Sequence, residues 1–195
     1  QGILKVDTNF DVVYRTISAG GRTACLYFVD GLTKDEVLLK LLQVFSSVQE
    51  QDMPADAHEF SKKYLPYGEV DLTTDVDSMV TYLLTGMSCL LIDGYDTCLV
   101  IDCRTYPARG VSEPDKDKVL RGSRDGFVET LIFNTALIRR RIRDPKLDME
   151  ILTAGESSHT DIAICYMNGR VDTDLLNTIK KRIQNLHVDA LTMNQ

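Results

Sequence analysis

Two apolar runs, "FDVVYRTI" (Phe10–Ile17) and "RTACLYFV" (Arg22–Val29), face each other across the dipeptide Gly20-Gly21. Runs rich in β-branched and aromatic residues around a two-glycine turn read as an antiparallel hairpin. The pattern returns in "MSCLLID-GYDT-CLVID", two apolar runs around a glycine-containing turn. Two hairpins commit much of the first hundred residues to sheet, and the segments between them must supply the helices that cover it.

Those segments carry helix signals. Thr33 with Glu36 has the spacing of a capping box. Val37, Leu38, Leu41, Leu42, Phe45 and Val48 then form one apolar face. In "QDMPADAHEFSKKYLP", Pro54 suits a first helical turn and Pro66 closes the segment. "EVDL" reads as a short strand, and "DVDSMVTYLLTG" as a helix ending at Gly86 with Met79, Val80, Leu83 and Leu84 inward. From Arg104 the texture turns polar, with prolines and glycines and no period, as in a linker. A long helix is expected over 126–143, stopped by Asp144-Pro145 and, because Phe127, Val128, Leu131, Ile132, Phe133, Leu137, Ile138 and Ile142 wrap most of its circumference, largely buried with its last turn emerging. Two strands follow in "LDMEILTAG" and "TDIAICYMNG", then an amphipathic helix in "DTDLLNTIKKRIQNL" and a last short strand in "HVDALTM". The expected fold class is α/β: two small α/β subdomains, mixed sheets flanked by helices, over 1–104 and 123–195, joined by a polar linker over 105–122. Cys25–Leu39 and Ala163–Asn177 share one layout at a constant offset, Gly31 against Gly169 and Leu38 against Leu176. Either strand–turn–helix recurs because it is a common unit, or the two subdomains are related.

Composition narrows the function classes. The chain has 195 residues, 44% hydrophobic and 26% charged, enough for a sizeable core without staples. No stretch reaches the ~18 consecutive apolar residues of a membrane helix, and "QGILKVDTNFD" has neither the basic nor the apolar region of a signal peptide, so the chain as given is expected to be soluble. A net charge of −7 argues against nucleic acid as a partner. The cysteines Cys25, Cys89, Cys98, Cys103 and Cys165 are odd in number, lie in apolar runs and form no C-x-x-C pair, as expected of reduced, buried thiols.

Chemistry is sparse. His58, His159 and His187 lack zinc-type spacing, so no metal site and no cofactor are expected. "GESSHTDI" gathers Ser157, Ser158, His159 and Asp161, but without a G-x-S-x-G elbow it reads as a polar turn. "RGVSEPDKDKVLRGSRDG" has no phosphate-loop pattern, and Ser123 or Asp125 can simply cap the following helix. No catalytic residue is assigned, and a non-enzymatic protein is expected. The turns Asp30-Gly31, Asp93-Gly94 and Asn168-Gly169 are good turn formers, and as strand-end loops they are also candidates to line a small-ligand crevice.

The pronounced charge feature is Arg139, Arg140, Arg141 and Arg143, four arginines within five residues of an acidic chain. Cations at a helix C-terminus gain roughly 0.3–1 kcal/mol each from the macrodipole. At 100° per residue they fan out and cannot all meet one ligand. The dipole accounts for one or two of them. The others are expected to pair with Asp144, Asp148, Glu150 or another subunit, which makes the four a candidate interface.

The stretch "DTCLVIDCRTYPARGVSEPDKDKVLRGSRDGFVETLIFNTALIRRRIRDPKL" resembles the signature region of the GerA family, the A subunits of spore germinant receptors. The matching residues are Arg109-Gly110, Glu113-Pro114, the helix-start motif Arg121, Gly122, Ser123, Arg124, Asp125, Gly126 and Phe127, then Asn134 and Leu137 to Ile142. "ACLYFVDGLTKDEV" and "LLTGMSCLLIDGYD" extend the resemblance over nearly the whole chain. Ser123 and Asp125 depart from the receptor pattern and resemble a stage V sporulation branch of the family. The resemblance implies a regulatory or assembly domain with no known catalytic residues, preceding a membrane region and lying on the cytosolic side of the spore inner membrane. It implies partnership with other subunits of a membrane germination complex, a homo-oligomer in full length, and a role in germinant signalling and ion release. A small-molecule germinant sensed in a crevice between subdomains is the alternative.

Overall fold

The computed structural model describes residues 2–66, 68–105, 126–189 and 191. Strands β1 (Val12–Ala19) and β2 (Arg22–Val29) form the first hairpin, with Ala19 opposite Arg22 and both turn glycines at positive φ. That backbone matches the right-handed twist of the strands and is open to glycine at little cost. Strands β3 (Val70–Thr73), β4 (Ser88–Ile92) and β5 (Cys98–Ile101) complete a sheet of order β1-β2-β4-β5-β3. Every described pairing is antiparallel, whereas mixed sheets were expected.

The period of two divides the sheet between two cores. Leu26, Phe28, Leu90, Leu99 and Ile101 point to one face, where α1 (Asp35–Ser47) and α2 (Ala57–Tyr64) bring Leu41, Phe45 and Phe60. Val29, Cys89, Cys98 and Val100 point to the other, under Leu83 and Leu84 of α3 (Val76–Leu84). Because β5 and the Ser88–Leu90 part of β4 are covered on both faces, their sequences are continuous apolar runs with little alternation, and only Leu91 of β4 is exposed.

Helix α1 carries the expected apolar face, but its capping box does not form. The N-cap is Lys34, with no side-chain cap bond. Thr33 is taken up elsewhere: its backbone bridges Arg104, and its hydroxyl donates to the Val29 carbonyl. Helix α2 starts after Pro54, capped by Asp56, and α3 is capped by Asp75.

The last part holds α4 (Leu131–Arg141), the hairpin β6 (Leu147–Ala154) and β7 (Thr160–Met167), and α5 (Thr173–Gln184), capped by Asp172. Helix α4 is shorter than the expected 126–143. Its first turn is replaced by a loop that the Asn134 side chain holds, accepting from Val128 N–H (2.8 Å) and donating to Val128 C=O (2.7 Å). Residues 155–159 are the polar turn between β6 and β7. The described part of "HVDALTM" forms no strand. Val188 and Asp189 instead offer their carbonyls to the backbone N–H groups of Glu156, Ser157 and Ser158. The expected linker falls almost wholly outside the described residues.

Candidate functional site

Helix α4 has two working sides. The inward side is a narrow stripe, Ile132, Thr135, Ala136 and Arg139, at the i, i+3, i+4, i+7 spacing of one helix face. Its upper part seats against Gly31: a Cβ at Gly31 would lie 2.9 Å from the Ala136 Cβ and 3.0 Å from Ile132 Cγ2. Gly31 has φ +78, so the absent side chain serves both the turn and the close approach of α4.

Arg139 ends this stripe and is 1% exposed. Its guanidinium grips Asp11 through two hydrogen bonds, Nε to Oδ2 at 2.7 Å and Nη2 to Oδ1 at 3.0 Å. Nη1 donates to the Leu147 carbonyl at 2.9 Å. This is the planar fork meeting a carboxylate, the geometry that lets arginine be buried. Asn9, two residues before Asp11, accepts from Met149 N–H at 2.6 Å and donates to the Leu4 carbonyl at 2.7 Å. Lys5 forms an ion pair with the buried Asp148 at 2.7 Å, and Asn168 donates to the same oxygen at 2.9 Å. The segment from Leu4 to Asp11 thus stitches the five-stranded sheet to α4 and to β6. Arg139, expected beside the other arginines at an interface, is a correction: it lies inside the chain. Its acid is Asp11, and neither Asp144, Asp148 nor Glu150 serves it.

The neighbouring carboxylates are committed too. Burial works to raise Asp148, but the hydrogen bonds from Lys5 and Asn168 and the charge of Lys5 outweigh it and hold the carboxyl below its usual value. Burial likewise opposes, and Lys180 and Tyr166 reverse, the shift of Glu150, which also ends below its ordinary value. Burial and the Glu150 carboxylate push the Tyr166 phenol up. Among the described residues no group of His, Cys, Asp and Glu could hold a metal ion.

The outward side of α4 was expected to be buried and is not. Phe127 is 68% exposed, with Phe133 and Ile142 also open to solvent. Phe127, Leu137, Ile138, Arg141 and Ile142 enclose a hollow of about 330 Å³. Arg143, just past the helix end, donates its Nε to the Arg140 carbonyl, the helix-end contact the macrodipole favours. The apolar circumference that suggests a buried helix in sequence is split in the fold between a sheet-facing stripe and a bare face.

The three candidate ligand turns are not brought together. Asp30-Gly31 closes β2 beneath α4, and the Asp30 N–H donates to the Asp11 carbonyl. Asn168-Gly169 closes β7 next to Asp148. Asp93-Gly94 sits at the opposite end of the sheet, because β4 runs antiparallel to β2 with Ile92 opposite Ala24. Eight residues of β2 separate it from the first turn, roughly 26 Å. Of the helix-start motif, Arg121, Gly122, Arg124 and Asp125 lie outside the described residues, and Phe127 is on the bare face. Sequence reading missed Asn9 and Asp11. The available signal was an Asn and an Asp at the mouth of an apolar strand, where solvated turn residues look the same.

Comparison with known proteins adds the family. The family model described as Bacillus/Clostridium GerA spore germination protein matches residues 3–195. Stage V sporulation protein AF of Bacillus subtilis (strain 168) is 34% identical over 187 residues, 95% of this chain and 38% of that protein. Spore germination protein KA of the same organism is 30% identical over 194 residues, 96% of this chain and 35% of that protein. The chain therefore spans little more than a third of the length of these relatives. The crystal structure of the N-terminal domain of the A subunit of the Bacillus megaterium spore germinant receptor GerK3 shares the fold, with TM-score 0.72 at 21% identity, covering 95% of this chain and 69% of that one. The signature residues, the match along almost the whole chain and the shared fold lead to one conclusion: the chain belongs to the GerA family of spore germination proteins.

Proposed function

We propose that this chain is a non-enzymatic assembly domain of a membrane-bound germination protein, acting in the passage from germinant signal to ion release at the spore inner membrane. The observation that carries the reading is the division of α4. One side is locked to the sheet and hairpin through Gly31 and the Arg139–Asp11 pair, while the other presents Phe127, Ile142 and the arginine rim to solvent. A helix fixed rigidly within its own chain and bare outward is suited to carry a partner's load into the fold. The kinship to proteins named for sporulation and spore germination supports the process, and the resemblance supports the membrane context.

The test is made in spores whose full-length protein carries Phe127→Ser together with Ile142→Ser. Dipicolinate release after germinant addition should slow several-fold, with the protein present in the membrane at its normal level. Release at the unaltered rate would overturn the reading.

A further inference from the structure

Asn168-Gly169 is the one Asn-Gly pair in the sequence. It turns the chain out of β7, with Gly169 at φ +79 and both residues exposed. The turn is pinned on either side: Asn168 N–H donates to the Lys146 carbonyl, and Arg170 N–H to the Met167 carbonyl. The Gly169 N–H between them has no hydrogen-bond partner among the described residues. A Cβ at Gly169 would meet nothing within 4 Å, so the turn has room to move. Asp30-Gly31 has the same glycine conformation, φ +78, but lies clamped beneath Ala136 and Ile132.

The Asn168 side chain helps to hold the fold. Its Nδ2 donates to Asp148 Oδ2 at 2.9 Å, the oxygen that also holds Lys5 Nζ at 2.7 Å. Asp148 is 1% exposed, and its Oδ1 accepts no hydrogen bond among the described residues. One of the donors on this buried carboxylate is therefore a carboxamide carried by an open, exposed turn.

We propose that Asn168 is a site of spontaneous modification, in which the Gly169 nitrogen closes on the Asn168 carboxamide and the product loosens the hold of Lys5 on β6. The Gly169 nitrogen gives its proton to hydroxide and bonds to Asn168 Cγ. The Cγ–Nδ2 bond breaks, and that nitrogen leaves as ammonia with a proton from water. Water then opens the cyclic imide at either carbonyl, giving aspartate or isoaspartate at this position. No oxidant or cofactor enters. Glycine favours the closure because it has no side chain to obstruct the turn. The product exchanges a donor for a carboxylate beside a buried carboxylate. Two carboxylates sharing a site resist ionising together, which opposes the depression of Asp148. Lys5 is then divided between two acids. The other titratable groups around Asp148 are Glu150 and Tyr166, and the cation beside them, Lys180, is bound to Glu150. The segment from Leu4 to Asp11 thereby loses part of its grip on β6.

Ageing the purified chain tests this. Peptide mapping by mass should find amide-to-acid conversion concentrated at Asn168 and faster in mildly alkaline than in mildly acidic buffer. Asn177 and Asn185, also exposed, should stay unchanged. Gly169→Ala keeps the carboxamide and should slow the conversion several-fold. Conversion no faster at Asn168 than at Asn177 and Asn185, or unaffected by Gly169→Ala, overturns the proposal. Asn168→Asp alters an exposed side chain and presents one product directly. Its unfolding midpoint should lie below that of the wild type at neutral pH, and the gap should narrow below about pH 4, where both carboxyls take up protons. Hydrogen exchange of the backbone amides from Leu4 to Asn9 should quicken in the same variant at neutral pH. A variant with the wild-type midpoint and exchange at neutral pH overturns the proposal too, since the hold of Lys5 then does not depend on the carboxamide.

Discussion

Arg139 shows how much of a cluster's meaning lies outside the cluster. In sequence it is one of four arginines that fan out around a helix end, and nothing local marks its face, shared with Ile132, Thr135 and Ala136, as the inward one. In the fold it is the buried one, because Asp11 comes to it from 128 residues away. That partner has no local signature, so pairing was sought among the near acids Asp144, Asp148 and Glu150. Removing one member of a buried pair leaves the other charge uncompensated. Arg139→Met is therefore expected to lower unfolding free energy by about 3–5 kcal/mol in chemical denaturation, and Arg139→Met with Asp11→Leu by clearly less than the sum of the two singles. Additive losses would mean the pair is not coupled. The acid limb of stability follows from Asp148, Glu150 and Asp102, each held below its ordinary pKa in the fold. A depressed carboxyl contributes stability above its unfolded value, near pH 4, and loses it as pH falls toward the folded one. Denaturation midpoints should hold from pH 7 to about 5 and fall below about 4. Lys5→Met should flatten that fall, because Asp148 then loses the cation that depresses it.

At the scale of elements, strands were more legible than helix ends. The hairpins β1–β2 and β4–β5 and the separate strands β6 and β7 were readable because apolar runs punctuated by turn residues are local signals. The Thr33 capping box and the long form of α4 were misread because tertiary bonds took the groups that local rules assign: Thr33 to the Arg104 bridge, Asn134 to the Val128 loop. The two glycines of the shared strand–turn–helix layout make a controlled comparison. Gly31 and Gly169 have nearly the same φ, +78 and +79, but Gly31 lies under α4 while a Cβ at Gly169 meets nothing within 4 Å. Gly169→Ala should cost only the left-handed strain, about 1–2 kcal/mol. Gly31→Ala should cost more, since Ala136 and the Ile132 backbone must also move. Equal losses would show that α4 is not seated on that turn.

For the whole molecule, the family was legible from the signature stretch, whereas the surfaces open to a partner were not. An apolar residue looks the same in sequence whether it faces a core or solvent. Phe127 and Ile142 looked like core, and the fold leaves them bare. Arg139, deeply buried, fixes α4 on one side, and the proposed assembly would use the side left bare. The most direct measurement is the native mass of the full-length protein extracted from spore membranes in mild detergent, with and without Phe127→Ser and Ile142→Ser. The account predicts a complex heavier than a single chain that collapses to the single-chain mass in the variant. An unchanged complex would contradict it.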